Sequence, residues 1–322
     1  MAKKLFRLDI LIIILIVLSI ISMFVGVIPL SINEIFSLSE QQKNILASSR
    51  FPRTISIIIA GASLAVSGLI MQQLTRNKFV SPTTAGTMDW AQLGILIGII
   101  SFPAINLFGR LAFALILSLL GTMLFMQIIT RIKLKDVIFV PLIGLMLGGV
   151  VSSIATFIAL RTNTLQIITG WMHGSFSTVI SGRYEILYIS IPLLIIAILF
   201  ANQFTVAGMG EDFSKNLGMN YTRILYTGLF ITAAITALVV VTVGMLPFLG
   251  LIIPNIVSMF RGDHLQKTIY LTAVLGAIFV MICDILGRIL IYPYEISVGL
   301  MIAIFGSSIF LWMIFRRVRA DA

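Results

Sequence analysis

Apolar residues fill this chain in long blocks rather than in stripes. The first, "LDILIIILIVLSIISMFVGVI" (8–28), holds one charged residue, Asp9. It reaches the roughly 20 residues needed to cross a bilayer core of about 30 Å. No small-residue cleavage site follows it, so it reads as a span and not as a signal peptide. Similar blocks predict helical spans near 8–28, 54–75, 89–107, 110–130, 137–160, 185–204, 222–243, 246–260, 268–290 and 296–315. The expected class is an all-α integral membrane protein of about ten transmembrane helices, forming one transmembrane domain over residues 1–322.

Two stretches need separate treatment. Between Arg223 and Arg261 lie 37 residues without Asp, Glu, Lys or Arg, about 56 Å of helix at roughly 1.5 Å per residue. That length fits two spans, and "GMLP" (244–247) supplies turn residues between them. The stretch "TNTLQIITGWMHGSFSTVISG" (162–182) also lacks those charges but is rich in Thr, Asn, Gln, Ser and Gly. It is too polar to face lipid, and we expect a short helix dipping into the membrane against protein.

The basic residues then set the direction. With ten spans, Lys3, Lys4, Arg7, Arg76, Lys78, Arg131, Lys133, Lys135, Lys215, Arg223, Arg261, Lys267, Arg316, Arg317 and Arg319 share one side, 15 of the 22 Lys and Arg. Positive residues gather on the cytoplasmic side, so both termini are expected there. Counting 162–182 as a span would move the C-terminal arginines outside, against that bias. On this topology Arg50 and Arg53 of "ASSRFPRTIS" (47–56) face outward, and Arg288 joins them from the far end of the ninth span.

Composition agrees with a membrane protein. Hydrophobic residues make up 59% and charged residues 11%, against about a quarter charged in soluble domains. The net charge of +10 is scattered between spans, which suits anionic lipid headgroups rather than nucleic acid. The single Cys283 sits in an apolar run, so no disulfide framework or thiolate metal cluster is expected. His173 is too isolated to be a metal ligand, and no metal or cofactor is expected. No GxxxxGK[ST] phosphate loop occurs, so the chain itself is not expected to hydrolyse ATP. The absence of HExxH and G-x-S-x-G argues against a protease or hydrolase.

Several motifs in order carry a family resemblance. They are "RFPR" (50–53), "GASLAVSGLIMQQLTRNKFVSP" (61–82), "TGWMHGSFS" (169–177), "GMGEDFSKNLG" (208–218), "GMLPFLGLIIPNIVSMFRGDH" (244–264), "CDILGR" (283–288) and "YEISVG" (294–299). Together they resemble the FecCD-type permease subunits of cobalamin and ferric-siderophore ABC importers. There are departures. "RNKFV" stands where the family usually has "RNPLA", Asn255 replaces a usual histidine, and "TMDWAQLG" replaces a glycine-rich run.

The resemblance implies a ten-helix subunit paired with a second permease, set above two ABC ATPase subunits and fed by an external substrate-binding protein. It implies that Arg50, Arg53 and Arg288 meet acidic residues of the binding protein. It makes the segment 207–222 the coupling helix against the ATPase, with Gly210, Glu211, Asp212, Phe213, Leu217 and Gly218 at its centre. It places Gly148, Ser152, Thr156, Trp171 and Ser175 beside the translocation pathway. Asn77 and Phe79 would form the inner gate, with Asp136 and Val137 as its partner.

Residue chemistry alone leaves alternatives. Arg50 and Arg53 could snorkel to headgroups. Arg288 could pair with Asp284, four residues earlier on one helix face. Segment 207–222 could be a solvated loop, and Arg76 and Lys78 could be headgroup anchors. Gly144, Gly148, Ser152 and Thr156 recur every four residues, which suits close helix packing as well as an unobstructed path. Asp89 and Asp284 are acids at or within spans and so are functional candidates.

The expected function is the transmembrane permease subunit of an ATP-driven importer moving an iron–siderophore complex into the cytoplasm across the cell membrane. The "TMDWAQLG" variant favours a catechol-type siderophore. The alternatives are a cobalamin or haem permease, or an ion-coupled secondary transporter. The last needs acids buried along a path, and only Asp284 is a plausible one.

Overall fold

The computed structural model describes residues 7–26, 39–132 and 138–321, with side chains to Phe315. Fourteen α-helices follow one another among these residues: α1 Leu8–Phe24, α2 Glu40–Ile45, α3 Phe51–Leu74, α4 Thr87–Ser101, α5 Leu107–Ile132, α6 Phe139–Arg161, α7 Leu165–Met172, α8 Ser190–Leu199, α9 Ala201–Ala207, α10 Glu211–Asn216, α11 Tyr221–Thr242, α12 Leu249–Arg261, α13 Leu265–Ile289 and α14 Val298–Asp321. A π-helical turn, Leu46–Arg50, joins α2 to α3, and a 3-10 turn, Tyr184–Ile189, leads into α8.

α3 and α11 form the centre. Of their most apolar windows, 83% and 78% respectively are buried, against 28% for α6. Small residues make that centre possible. With little apolar gain from burial inside a bilayer, helices associate by close backbone approach. A Cβ at Gly61 would press on Gly276 and Ala277 of α13, and one at Gly68 would overlap the Gly250 carbonyl of α12. On the periphery, Leu142, Met146, Val150 and Phe157 of α6 are exposed, as are Ile116 and Leu120 of α5. These faces have the apolar character that lipid or a neighbouring subunit requires.

The Gly68 crossing yields a direct expectation. Overpacking a filled site typically destabilises by about 1–3 kcal/mol and sometimes more. Gly68→Ala should therefore lower the heat-denaturation midpoint of the purified protein. Gly149→Ala, whose added methyl would meet nothing within 4 Å, should not. Equal midpoints for the two variants would refute the tight crossing.

The helix lengths bear out part of the expected span count. Six helices are long and apolar enough to cross a membrane among the described residues. A seventh arises if Tyr184–Leu199 and Ala201–Ala207, bent by 59°, count as one span. Leu8–Phe24, Thr87–Ser101 and Leu249–Arg261 are apolar but shorter. The expected span 246–260 is one of these: α12 has 13 residues, about 20 Å of rise, less by itself than the bilayer core of about 30 Å. It begins beside Gly68, deep along α3, after Phe248 turns the chain in the left-handed region at φ 62°.

The stretch expected to dip folds as α7 and the turns that follow it. Its irregular backbone is hydrogen-bonded to protein: Ser175 N–H donates to Val243 O at 2.8 Å, Met245 N–H to Trp171 O at 2.9 Å, and Gly299 N–H to Gly174 O at 2.8 Å. Non-helical backbone at membrane depth persists only when it is satisfied in this way.

Candidate functional site

The candidate side chains collect at the two ends of the antiparallel pair α3 and α13. Arg53 and Asp284 meet at one end, and Gln73 reaches the Asp263 carbonyl at the other.

At the first end, Arg53 opens α3 beside Pro52, and Asp284 and Arg288 lie one turn apart on α13. Arg53 donates through Nε and Nη2 to Asp284 Oδ1 at 3.1 and 2.8 Å, and through Nη1 to both Glu295 oxygens at 3.0 and 2.9 Å. Arg288 Nη2 faces Asp284 Oδ2 at 2.6 Å. The Asp284 side chain is fully buried, those of Arg288 and Arg53 are 4% and 12% exposed, and Glu295 is the most open at 29%. A lone carboxylate in that position would be prohibitive, and two guanidiniums make it tolerable.

The same arginines perform a task the sequence did not reveal. Arg288 Nη1 donates to Ser22 O at 2.9 Å and Val25 O at 2.7 Å, and Nη2 to Ser22 Oγ at 2.5 Å. Arg50, buried at the end of the π turn, donates to Met23 O at 2.6 Å. Carbonyls at a helix C-terminus lack intrahelical donors, and cationic side chains satisfy them well. Arg50 and Arg288 thus fasten the end of α1 to the bundle. All three arginines engage partners within the chain, so they are not simple headgroup anchors. The Asp284–Arg288 pairing that the four-residue spacing allowed is present.

At the second end, α3 runs into the turn Arg76–Val80. Asn77 is buried, and its Oδ1 accepts the Phe79 N–H at 2.9 Å. Phe79 packs edge-on against Phe310 of α14, with centroids 5.8 Å apart. Lys78 Nζ reaches Ser258 Oγ at 3.0 Å and Asp263 Oδ1 at 2.9 Å. Ser258 Oγ also donates to Asp263. Burial alone would raise the Asp263 carboxyl, but the hydrogen bonds from Lys78 and Ser258 and the lysine charge hold it below the usual carboxylate range.

In the sequence Asn255 is only a departure from the family's usual histidine. Its Nδ2 donates to Lys78 O at 2.8 Å and to Leu251 O at 2.7 Å, tying the turn to α12. Asp136 and Val137, expected as the gate's partner, lie outside the described residues.

The segment expected to couple lies against this turn. α10 holds Glu211, Asp212 and Phe213, and Leu217 and Gly218 follow it. Gly210 adopts φ 127° at its start, where a Cβ would press on the Arg76 guanidinium. Ser214 is buried, with its hydroxyl donating to Gly210 O at 2.7 Å. Phe213 and Leu217 are exposed at 46% and 57%.

The proposed pathway residues separate into two groups. Gly144 and Gly148 pack against the backbone of Ala85 and Gly86, and a Cβ at Gly148 would also press on Asp89. They therefore serve helix contact. Ser152 and Thr156 are half-buried further along α6, and Thr156 Oγ1 donates to Ser152 O at 2.8 Å. Trp171 and Ser175 are half-buried in the dip, where Ser175 and Ser177 share a hydroxyl hydrogen bond at 2.8 Å.

The FecCD transport family profile matches residues 14–316. The petrobactin import system permease protein YclN of Bacillus subtilis is 57% identical over 311 residues, spanning 97% of this chain and 98% of that protein. The petrobactin import system permease protein FatD of Bacillus anthracis is 41% identical, over 95% of this chain and 90% of that protein. The ferric-anguibactin transport system permease protein FatD of Vibrio anguillarum is 38% identical, over 85% and 88%. A solved metal-chelate type ABC transporter in an inward-facing conformation superposes with a TM-score of 0.82, covering 96% of this chain and 98% of the other at 24% identity. That likeness fixes the fold. This chain is a multi-pass plasma-membrane permease of ABC importers, not itself an enzyme, and it belongs to the FecCD transport family.

Proposed function

We propose that the chain carries a ferric siderophore into the cytoplasm, working with a second permease, two ATPase subunits and an external binding protein. The observation that supports this most is the 57% identity, over nearly the full length of both chains, to a petrobactin import permease. Petrobactin is accordingly the first cargo to test, and a catechol-type chelator is the finer form of the proposal. Both termini are taken as cytoplasmic, with the shorter helices α1, α4 and α12 and the bent α8–α9 pair completing ten membrane passages. Docking is assigned to the Arg50, Arg53 and Arg288 end, coupling to α10, and gating to Asn77 and Phe79.

The test is uptake of labelled ferric siderophores by a strain lacking the gene and by the same strain with it restored. Restored uptake of ferric petrobactin, but not of cobalamin or haem, supports the reading. Restored uptake of cobalamin or haem alone replaces the cargo. Uptake that persists with an inactive partner ATPase would favour an ion-coupled transporter.

Docking has its own test, and it is not reversal of the arginines. Glutamate at position 53 would face Asp284 and Glu295 inside the chain, disturbing the fold along with any contact. Glu295, partly open, is the better probe. If an acidic binding protein docks here, Glu295→Gln removes a competing carboxylate. Exposed pairs are worth up to about 1 kcal/mol, so binding should tighten about two- to fivefold at low salt. Screening should erase the gain at high salt. Unchanged or weaker binding would move the docking site elsewhere.

A further inference from the structure

A cavity of about 520 Å³ opens between the start of α5, the loop following α7 and the end of α11. It lies at the arginine end of the bundle. Ser181, beside the lining residue Gly182, donates its N–H to Ser48 O and its hydroxyl to Ala47 O, both at 3.0 Å. Its polar lining includes Asn106, Arg110, Trp171, Thr178, Arg183 and Tyr184.

Two features point to a ligand. First, Arg110 and Arg183 both border the cavity, while its described lining holds no Asp or Glu. The acid nearest Arg183 in sequence, Glu185, instead accepts the Gly182 N–H at 2.8 Å. Second, two aromatic residues, Trp171 and Tyr184, border the same space. Guanidinium groups grip carboxylates and other paired oxygens with two parallel bonds. Trp171 and Tyr184 add aromatic faces with a polar edge. The volume falls within the range of small-molecule sites, about 300–1,000 Å³.

We propose that this cavity is a site for an anionic, oxygen-rich metal chelate, occupied at the arginine end before the chelate moves inward. Ferric iron is held by anionic oxygens. A chelator whose deprotonated oxygens outnumber the ion's positive charges leaves the whole complex negative. Arg110 and Arg183 select for that charge, and the aromatic pair covers the chelator's apolar frame. The inference rests on the siderophore cargo proposed above and narrows it to anionic complexes.

The experiment uses the full transporter complex in neutral phosphatidylcholine nanodiscs, without the binding protein. Tryptophan quenching is followed with an anionic ferric catecholate and with a neutral ferric hydroxamate of similar size. The catecholate should quench saturably, at least tenfold more tightly than the hydroxamate, and Trp171→Phe should remove that signal. Arg110→Gln with Arg183→Gln should weaken catecholate binding at least tenfold at an unchanged heat-denaturation midpoint. Arg110→Lys with Arg183→Lys should retain part of the affinity. Affinity that ignores either the chelate's charge or the arginines overturns the site. So does loss of catecholate binding on adding phosphatidylglycerol, because the arginines would then hold lipid headgroups. Cellular uptake separates the two levels. Intact siderophore uptake with arginine-independent binding removes only this cavity, whereas absent uptake in the restored strain removes the cargo itself.

Discussion

Asp284→Ala should insert in the membrane yet unfold far more readily than the parent, losing about 3–5 kcal/mol. The carboxylate is fully buried, hydrogen-bonded by Arg53 at 2.8 Å and ion-paired with Arg288 at 2.6 Å. Removing it leaves two guanidiniums facing each other across a site that water barely enters. Arg53 keeps Glu295, and Arg288 keeps the α1 carbonyls, but neither replaces the charge between them. Breaking a buried pair from one side is therefore much worse than never having built it. The companion variant makes the point quantitative. Asp284→Leu with Arg288→Met removes a charge of each sign, and Arg53 still has Glu295. It should recover much of the stability lost in Asp284→Ala, less the contribution of the α1 cap. Tryptophan-monitored heat denaturation in detergent reads both. If Asp284→Ala melts within a degree or two of the parent, the cluster does not hold the fold together.

Much of the architecture is written in the chain because lipid demands it. Uninterrupted apolar blocks announce α3, α5, α6, α11, α13 and α14, and the described helices match those blocks closely. The depth of α12 was less legible. "GMLP" announces a turn, but nothing local says that the turn lies inside the bundle. The contact of Gly68 with Gly250 places it there, and that contact joins residues far apart in sequence.

The ion cluster divides in the same way. Asp284 and Arg288 are four apart on one helix, so their pairing could be read directly. Arg53 reaches Asp284 across 231 residues, and no spacing rule reports that. The α1 caps by Arg50 and Arg288 are equally invisible, since they depend on where one helix end meets another. Asn255 stood out only as a substitution. Its bonds to Lys78 O and Leu251 O give it a physical role that the sequence could not.

Phe213→Ala with Leu217→Ala should have the opposite signature to Asp284→Ala, with stability unchanged and transport lost. Both side chains are exposed, and so is neighbouring Met209 at 59%. Truncating them removes little packing within the chain, and surface changes of this kind usually stay within about 0.5 kcal/mol. The α10 frame survives, because Gly210, the buried Ser214 and the Lys215–Glu211 pair at 2.8 Å all remain. An apolar pair held on a short helix and its C-cap is what a groove on another protein can seat. Central apolar contacts of that kind often contribute more than about 1 kcal/mol each. Losing two should weaken ATPase association tenfold or more, at about 1.4 kcal/mol per factor of ten. Siderophore uptake should fall at least as far. Glu211→Ala alone gives up only an exposed pair with Lys215, worth about 0.3–0.5 kcal/mol, and should be mild by comparison. Co-purification of the ATPase and cellular uptake read the result together. If the double variant recovers the ATPase in full and transports normally, α10 is a solvated loop. Coupling to the ATPase must then run elsewhere.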